Sequence, residues 1–221
     1  MIDPAAELEI TAFEWVPKFA QGYVRDLRLR WACEEAKLPY SERLISAVKR
    51  PEWYFSEQPW GQVPVLRDGE ITVFESGACL MHLGEKSETL LPRDPAVRAP
   101  VVSWLFAALN SLEPMAFEMA RVAFFSADEE WAPLRRPSLE KQIAGRLAPV
   151  ERHMAANDWI AGVFSIADIA MVTVLRDLAS NIPLDPYPAL SAYLERGAGR
   201  PAFAQAMADQ LAPFTRNAPP E

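Results

Sequence analysis

The chain is poor in the residues that mark metal centres and disulfide frameworks. Its 221 residues include two cysteines, Cys33 and Cys79, and two histidines, His82 and His153. Both cysteines lie in apolar, helix-like sequence, which points to buried thiols in a reducing compartment, so the expected location is cytoplasmic. With the histidines far apart and no cysteine pair at ligand spacing, no metal site is expected. Positive charge is scarce too: 22 Lys and Arg against 30 Asp and Glu leave a net charge of −8, with no basic cluster to override it. Nucleic acid and anionic membrane surfaces both require a concentrated positive field, so neither is an expected partner. No apolar run is long enough to cross a bilayer, and the opening MIDPAAELEITAF lacks the charged region and apolar core of a secretory signal.

What is present suits one large domain or two small ones, each able to bury a core. Leu8 to Phe13 alternates as a short strand does. A loop from Glu14 to Gly22 follows, longer than a strand-to-helix link requires. Val24 to Leu38 has the apolar spacing of a helix buried over a broad stripe, and Arg28, Arg30, Glu34, Glu35 and Lys37 are expected on its solvated face, paired four apart as in Arg30 with Glu34. Tyr40 to Ile45 is a plausible second strand.

The most informative stretch is Gln58 to Leu83, QPWGQVPVLRDGEITVFESGACLMHL. Asp68-Gly69 reads as a two-residue hairpin loop between the apolar runs Val63 to Leu66 and Ile71 to Phe74. Glu75 and Ser76 fall where the second run hands over to a helix. Such a terminus presents unpaired N–H groups and the positive end of the helix dipole, which suits a carboxylate. Ser76 is expected to be the N-cap and an extra donor, while Glu75 offers a charge for an ammonium. Together they can hold both ends of an α-amino-acid group. The order β-α-β then β-β-α implies a mixed sheet with helices packed on its faces.

Beyond this region the texture is helical. Ser87 to Pro100, with three prolines, has the composition of a linker, so the expected division is 1–86, linker 87–100 and an all-helical domain over 101–221. Pro114 should kink or break the helix predicted over 99–125, and Pro137-Ser138 can open another that runs through His153. Ser165 and Asp168 form an aspartate variant of the capping box, with Phe164 and Ile169 as a hydrophobic staple, at the head of a nearly all-apolar helix to Leu178. Short helices are predicted over 188–196 and 201–211, and 213–221 as a loosely held tail.

Four motifs in this order carry a resemblance: Arg28-Leu29-Arg30-Trp31-Ala32 with Glu34-Glu35-Ala36, the run Gln58 to Leu66, Glu75-Ser76-Gly77-Ala78, and Phe164-Ser165-Ile166-Ala167-Asp168-Ile169. Over nearly its whole length the chain resembles the cytosolic glutathione transferases, bacterial members especially. The resemblance implies an α/β plus all-α fold, a thioredoxin-like domain followed by a helical bundle, acting as a homodimer. It implies that glutathione is the co-substrate, conjugated through its thiol to hydrophobic electrophiles. Pro64 would be cis, Val63 would present its backbone to the cysteinyl part, Glu75 and Ser76 would receive the γ-glutamyl end, and Gln62 would lie beside them. Trp15 and Phe117 are candidates for the acceptor pocket. The chain departs from the family where the thiolate-stabilising group is expected, since no Ser or Cys lies between Thr11 and Cys33. Tyr23 is the candidate there, with Trp15 and Arg25 as alternatives. A non-catalytic glutathione-binding protein and a glutathione-dependent isomerase are the other functions consistent with this pattern. Cys33 lies too far along its helix to serve thioredoxin-type exchange.

Overall fold

A computed structural model describes residues 1–219. Strand β1 (Leu8–Phe13) buries four of its side chains, Leu8, Ile10, Thr11 and Ala12, as a central strand covered on both faces does. On one side it pairs in parallel with β2 (Ser41–Ile45), reached through helix α1 (Asp26–Ala36). On the other it pairs antiparallel with β3 (Val65–Asp68), which pairs with the edge strand β4 (Ile71–Phe74), giving the order β2-β1-β3-β4. Asp68 faces Ile71 as the last paired residue, so the hairpin loop is Gly69-Glu70 rather than Asp68-Gly69. Only Gly69, with φ +58°, needs the left-handed region, which places glycine at the first loop position.

The expected solvated face of α1 is buried only in part: Lys37 is exposed and Glu34 and Glu35 are half-buried. Arg28 and Arg30 are 1% and 0% exposed. The cause is helix α8 (Pro201–Arg216), which lies over α1: Phe203 meets Trp31 edge-on at 4.9 Å, and Gln210 Nε2 donates to Asp26 Oδ1 at 2.8 Å. Arg30 is therefore held between Asp26 (2.7 Å) and Glu42 (2.6 Å), and Glu34 pairs with the N-terminal ammonium instead. Burial disfavours the Arg30 cation, but the two carboxylates outweigh it and hold the guanidinium above its ordinary range. Glu35 accepts from Arg200 and from the Trp31 indole, and Tyr40 Oη donates to Asp209.

The chain divides into two compact units, Met1–Leu91 with the segment from Arg200 onward, and Pro92–Gly199. The expected division grouped α8 with the other helices; its hydrogen bonds to Val24, Asp26 and Tyr40 tie it to the first unit. Pro213 and Phe214, read as tail, are buried residues of α8, while residues 220–221 lie outside the described residues.

In the second unit, α3 (Pro95–Phe106) starts inside the expected linker, because Asp94 accepts from the N–H groups of Ala96 (2.8 Å) and Val97 (3.3 Å) and Pro95 fits the first turn. Wide π turns at 107–112 and 121–125 flank α4 (Glu113–Ala120), whose first turn takes Pro114. Helix α5 (Trp131–Met154) begins before Pro137 and carries it internally. His153 closes that helix, its ring tilted 34° against Trp104 with centroids 4.8 Å apart and bonded to the Ile160 carbonyl. Helix α6 (Ile166–Ala179) is buried nearly all round and has the expected capping box, and α7 (Pro188–Ala198) packs against it. Among the described residues no helix is long and apolar enough to cross a membrane.

Candidate functional site

Sheet register brings three chain segments to one end of the first unit. Thr11 faces Val65, so β1 runs toward the loop 14–25 at the end where β3 begins, just after Val63 and Pro64. Val65 faces Phe74, so β4 finishes at that same end and delivers Glu75 and the N-terminus of α2 (Ser76–Glu85). Since α1 returns antiparallel to β1, its N-terminus and the residues before it, Tyr23 and Arg25, open there as well.

The approach to Val63 is held from several sides. Gln58, buried, accepts through Oε1 from the Trp60 N–H (2.7 Å) and the Gln62 N–H (3.2 Å). Tyr54 Oη donates to the Gln62 carbonyl at 2.6 Å, and Arg50 Nε donates to the Gly61 carbonyl. Gly61, at φ +62°, has no room for a side chain: a Cβ there would stand 2.7 Å from the Phe55 ring. The Val63–Pro64 bond is cis, as the resemblance implied. Among the described residues the Val63 N–H and C=O have no hydrogen-bond partner, so this short extended segment presents an unpaired edge. The Gln62 side chain is exposed beside it.

At the head of α2 the roles differ from expectation. Glu75, not Ser76, is the N-cap; it takes φ +69° and ψ 120°, a costly conformation for a residue with a side chain, and its carboxylate is exposed. Ser76 is the first helical residue, 6% exposed, and its hydroxyl does not cap the helix. Its Oγ instead accepts from Arg28 Nη1 at 3.0 Å. Sequence periodicity missed Arg28 because a charged residue on an amphipathic helix reads as solvated; the clue was two arginines within a stretch otherwise apolar enough to be core.

Tyr23 is 39% exposed and Trp15 and Arg25 are half-buried, with Arg25 at the N-cap of α1. The loop that carries them is tied at both ends to α8 and its C-cap: Asn217, the C-cap, donates through Nδ2 to the Glu14 carbonyl (3.2 Å) and Gln210 Nε2 donates to the Val24 carbonyl (2.9 Å). Phe117, 58% exposed on α4, belongs to the second unit. Both thiols are unsuited to nucleophilic work, since burial pushes Cys33 and Cys79 up to about 12. Among the described residues no three His, Cys, Asp or Glu side chains gather as a metal ion would need.

A four-stranded mixed sheet entered through a cis-proline and followed by a helical unit defines a thioredoxin-like domain with a helical companion. Sequence comparison agrees. Residues 27–86 match the glutathione S-transferase N-terminal domain and residues 112–201 the glutathione S-transferase C-terminal domain. The chain is 32% identical over 190 residues to the disulfide-bond oxidoreductase YfcG of Escherichia coli, covering 79% of this chain and 86% of the relative. It is 30% identical over 204 residues to glutathione S-transferase 4 of Zea mays, covering 86% and 89%. A crystal structure of a glutathione transferase from Pseudomonas putida, with glutathione disulfide bound, shares the fold at a TM-score of 0.79, with 24% identity over 90% of each chain. The chain belongs to the glutathione S-transferase family.

Proposed function

We propose that this protein binds glutathione at the shared sheet end and conjugates its thiol to hydrophobic electrophiles. One observation carries the reading: the unpaired Val63 peptide edge, the Ser76 hydroxyl and the N-terminus of α2 meet at one end of the sheet. An extended tripeptide with an α-amino-acid head matches them. Val63 pairs with the cysteinyl residue as an added strand would. The Ser76 O–H and the first N–H groups of α2 take the γ-glutamyl carboxylate, the Glu75 carboxylate takes its ammonium, and Gln62 reaches the ligand from the side. The resemblance to the family supports the same assignment.

Chemistry then rests on the sulfur. A free thiol has a pKa of about 8.5 and is mostly protonated at neutral pH, so a donor must favour the thiolate. Tyr23 takes that role in this reading as the one hydroxyl side chain in the loop 14–25. The thiol proton passes to solvent, sulfur forms a bond to the electrophilic carbon, and the leaving group departs with its bonding pair. Trp15 and Phe117 are the proposed contacts of the acceptor, and the working unit is proposed to be a homodimer.

A second reading has its own support in the Escherichia coli relative, named a disulfide-bond oxidoreductase. Two glutathione thiols reduce one disulfide to two thiols and leave glutathione disulfide, a reaction that asks no protein thiol to take part. Retention on immobilised glutathione, followed by assays with a chloro-nitroaromatic and with a small disulfide, separates the readings. Turnover of the aromatic supports the transferase. Turnover of the disulfide alone supports the second reading, and retention without either supports a binding role. Failure to be retained overturns the glutathione site itself.

A further inference from the structure

The buried Arg28 is used by nothing so far described, yet it reaches the head of α2. Its guanidinium crosses from α1 to donate to Ser76 Oγ at 3.0 Å, a contact between residues 48 positions apart. Arginine has donors only. It therefore occupies a lone pair of Oγ and cannot take the hydroxyl proton, which must point elsewhere. Among the described residues no acceptor receives that proton, although Ser76 is 6% exposed. A buried hydroxyl is thus oriented by a cation behind it, with its own donor uncommitted, at the first position of a ten-residue helix whose leading N–H groups are also unpaired.

We propose that Arg28 is a positioning residue that makes the N-terminus of α2 selective for a carboxylate beside an ammonium. It acts through Ser76, and the inference rests on the glutathione reading above. Two physical effects combine. Donation from a charged group polarises the hydroxyl and strengthens the bond it gives in turn. A positive charge held in a dry interior also adds to the helix dipole at the same spot, favouring an anionic over a neutral head group. Glu75, exposed and at positive φ, stands next to this donor in the chain and offers its carboxylate to the ammonium. The ligand class so defined is an amino acid linked through its side chain, with its α-ammonium and α-carboxylate both free.

Calorimetric titration with two ligands tests this. One is glutathione; the other is γ-aminobutyryl-cysteinyl-glycine, which lacks only the γ-glutamyl carboxylate. The parent protein should prefer glutathione by about tenfold or more, the range of charge-assisted hydrogen bonds. Arg28→Met should weaken glutathione about tenfold and leave the analogue within about twofold, and Arg28→Lys should recover part of the loss. Equal weakening of both ligands would make Arg28 a packing residue only and overturn the inference. Should Arg28→Met fail to fold, Arg28→Lys combined with Ser76→Ala decides: the pair should lose no more than Ser76→Ala alone, and a larger loss contradicts action through Ser76. A folded parent that binds neither ligand overturns the glutathione reading and the inference with it. Binding of both equally by the parent overturns the inference alone.

Discussion

Gln210 offers a sharp test of how the loop ahead of α1 is held. Its amide is fully buried and gives one hydrogen to the Val24 carbonyl (2.9 Å) and the other to Asp26 Oδ1 (2.8 Å). Both partners only accept, which fixes the amide orientation and leaves Gln210 Oε1 as a buried oxygen without a partner among the described residues. Gln210→Leu removes a bond to a carbonyl, worth about 0.5–1.5 kcal/mol, and one to a carboxylate, worth about 1.5–3 kcal/mol. It also removes the orphaned oxygen, which returns about 1–3 kcal/mol, so the net loss is about 1–2 kcal/mol. Gln210→Glu keeps the shape but sets a second carboxyl against Asp26, where both cannot ionise. Leaving a buried charge uncompensated costs about 3–5 kcal/mol at neutral pH. Burial and like charge raise the folded pKa of the introduced carboxyl above its unfolded value of about 4.3. Its favourable contribution is therefore complete below pH about 4.3 and lost as pH rises through the raised value. Urea midpoints of parent, Gln210→Leu and Gln210→Glu at acidic and neutral pH check this by tryptophan fluorescence, to which Trp31, packed on Phe203 of α8, contributes. The Gln210→Glu deficit should shrink toward acid by more than that of Gln210→Leu, whose lost bond favours only the ionised Asp26. Equal, pH-independent deficits would refute the reasoning.

Asp168 accepts from the Ser165 N–H (2.9 Å), the Ile160 N–H (2.9 Å) and Tyr193 Oη (2.8 Å), so Asp168→Ala strands three buried donors and should cost about 3–5 kcal/mol in denaturant unfolding; under about 1 kcal/mol would contradict this. Tyr23→Phe should lower kcat/KM about tenfold at neutral pH and move its rising limb up by about one pH unit, because a lost donor raises the thiol pKa. An unchanged pH profile removes Tyr23 from the chemistry. Ser76→Ala should raise the KM for glutathione about tenfold with little change in kcat, since that contact forms in ground and transition states alike. A KM equal to that of the parent removes Ser76 from the site.

Local rules carried much of the fold. The alternation of Leu8 to Phe13 gave a strand with those bounds, and Ser165 with Asp168 gave the capping box, because each depends on residues within a few positions of one another. What escaped depends on distant partners. Arg28 and Arg30 look solvated until Ser76 and α8 close over them, and no period within α1 reports a helix nearly two hundred residues later. Turn chemistry was legible to within one residue: Gly69 supplies the positive φ, but the β3–β4 register moves Asp68 into the strand. At Ser76 the residue type was informative and its role was misassigned, since capping requires an extended Ser76 and the chain instead reserves the non-helical backbone for Glu75. Pro95 and Pro137 mark the same limit, for proline is tolerated in a first turn and also inside a long helix that neighbours hold in place. Sequence pattern alone does not single out the proposed thiolate donor, because Tyr23, Trp15 and Arg25 share one loop whose course is fixed by Asn217 and Gln210.

A crystal structure of this protein grown with glutathione decides whether the sheet end is the binding site. The γ-glutamyl carboxylate should lie within about 2.7–3.2 Å of Ser76 Oγ, with the Val63 N–H and C=O both bonded to the cysteinyl residue. Glutathione bound elsewhere, or reversed so that its glycyl end meets Ser76, would contradict it.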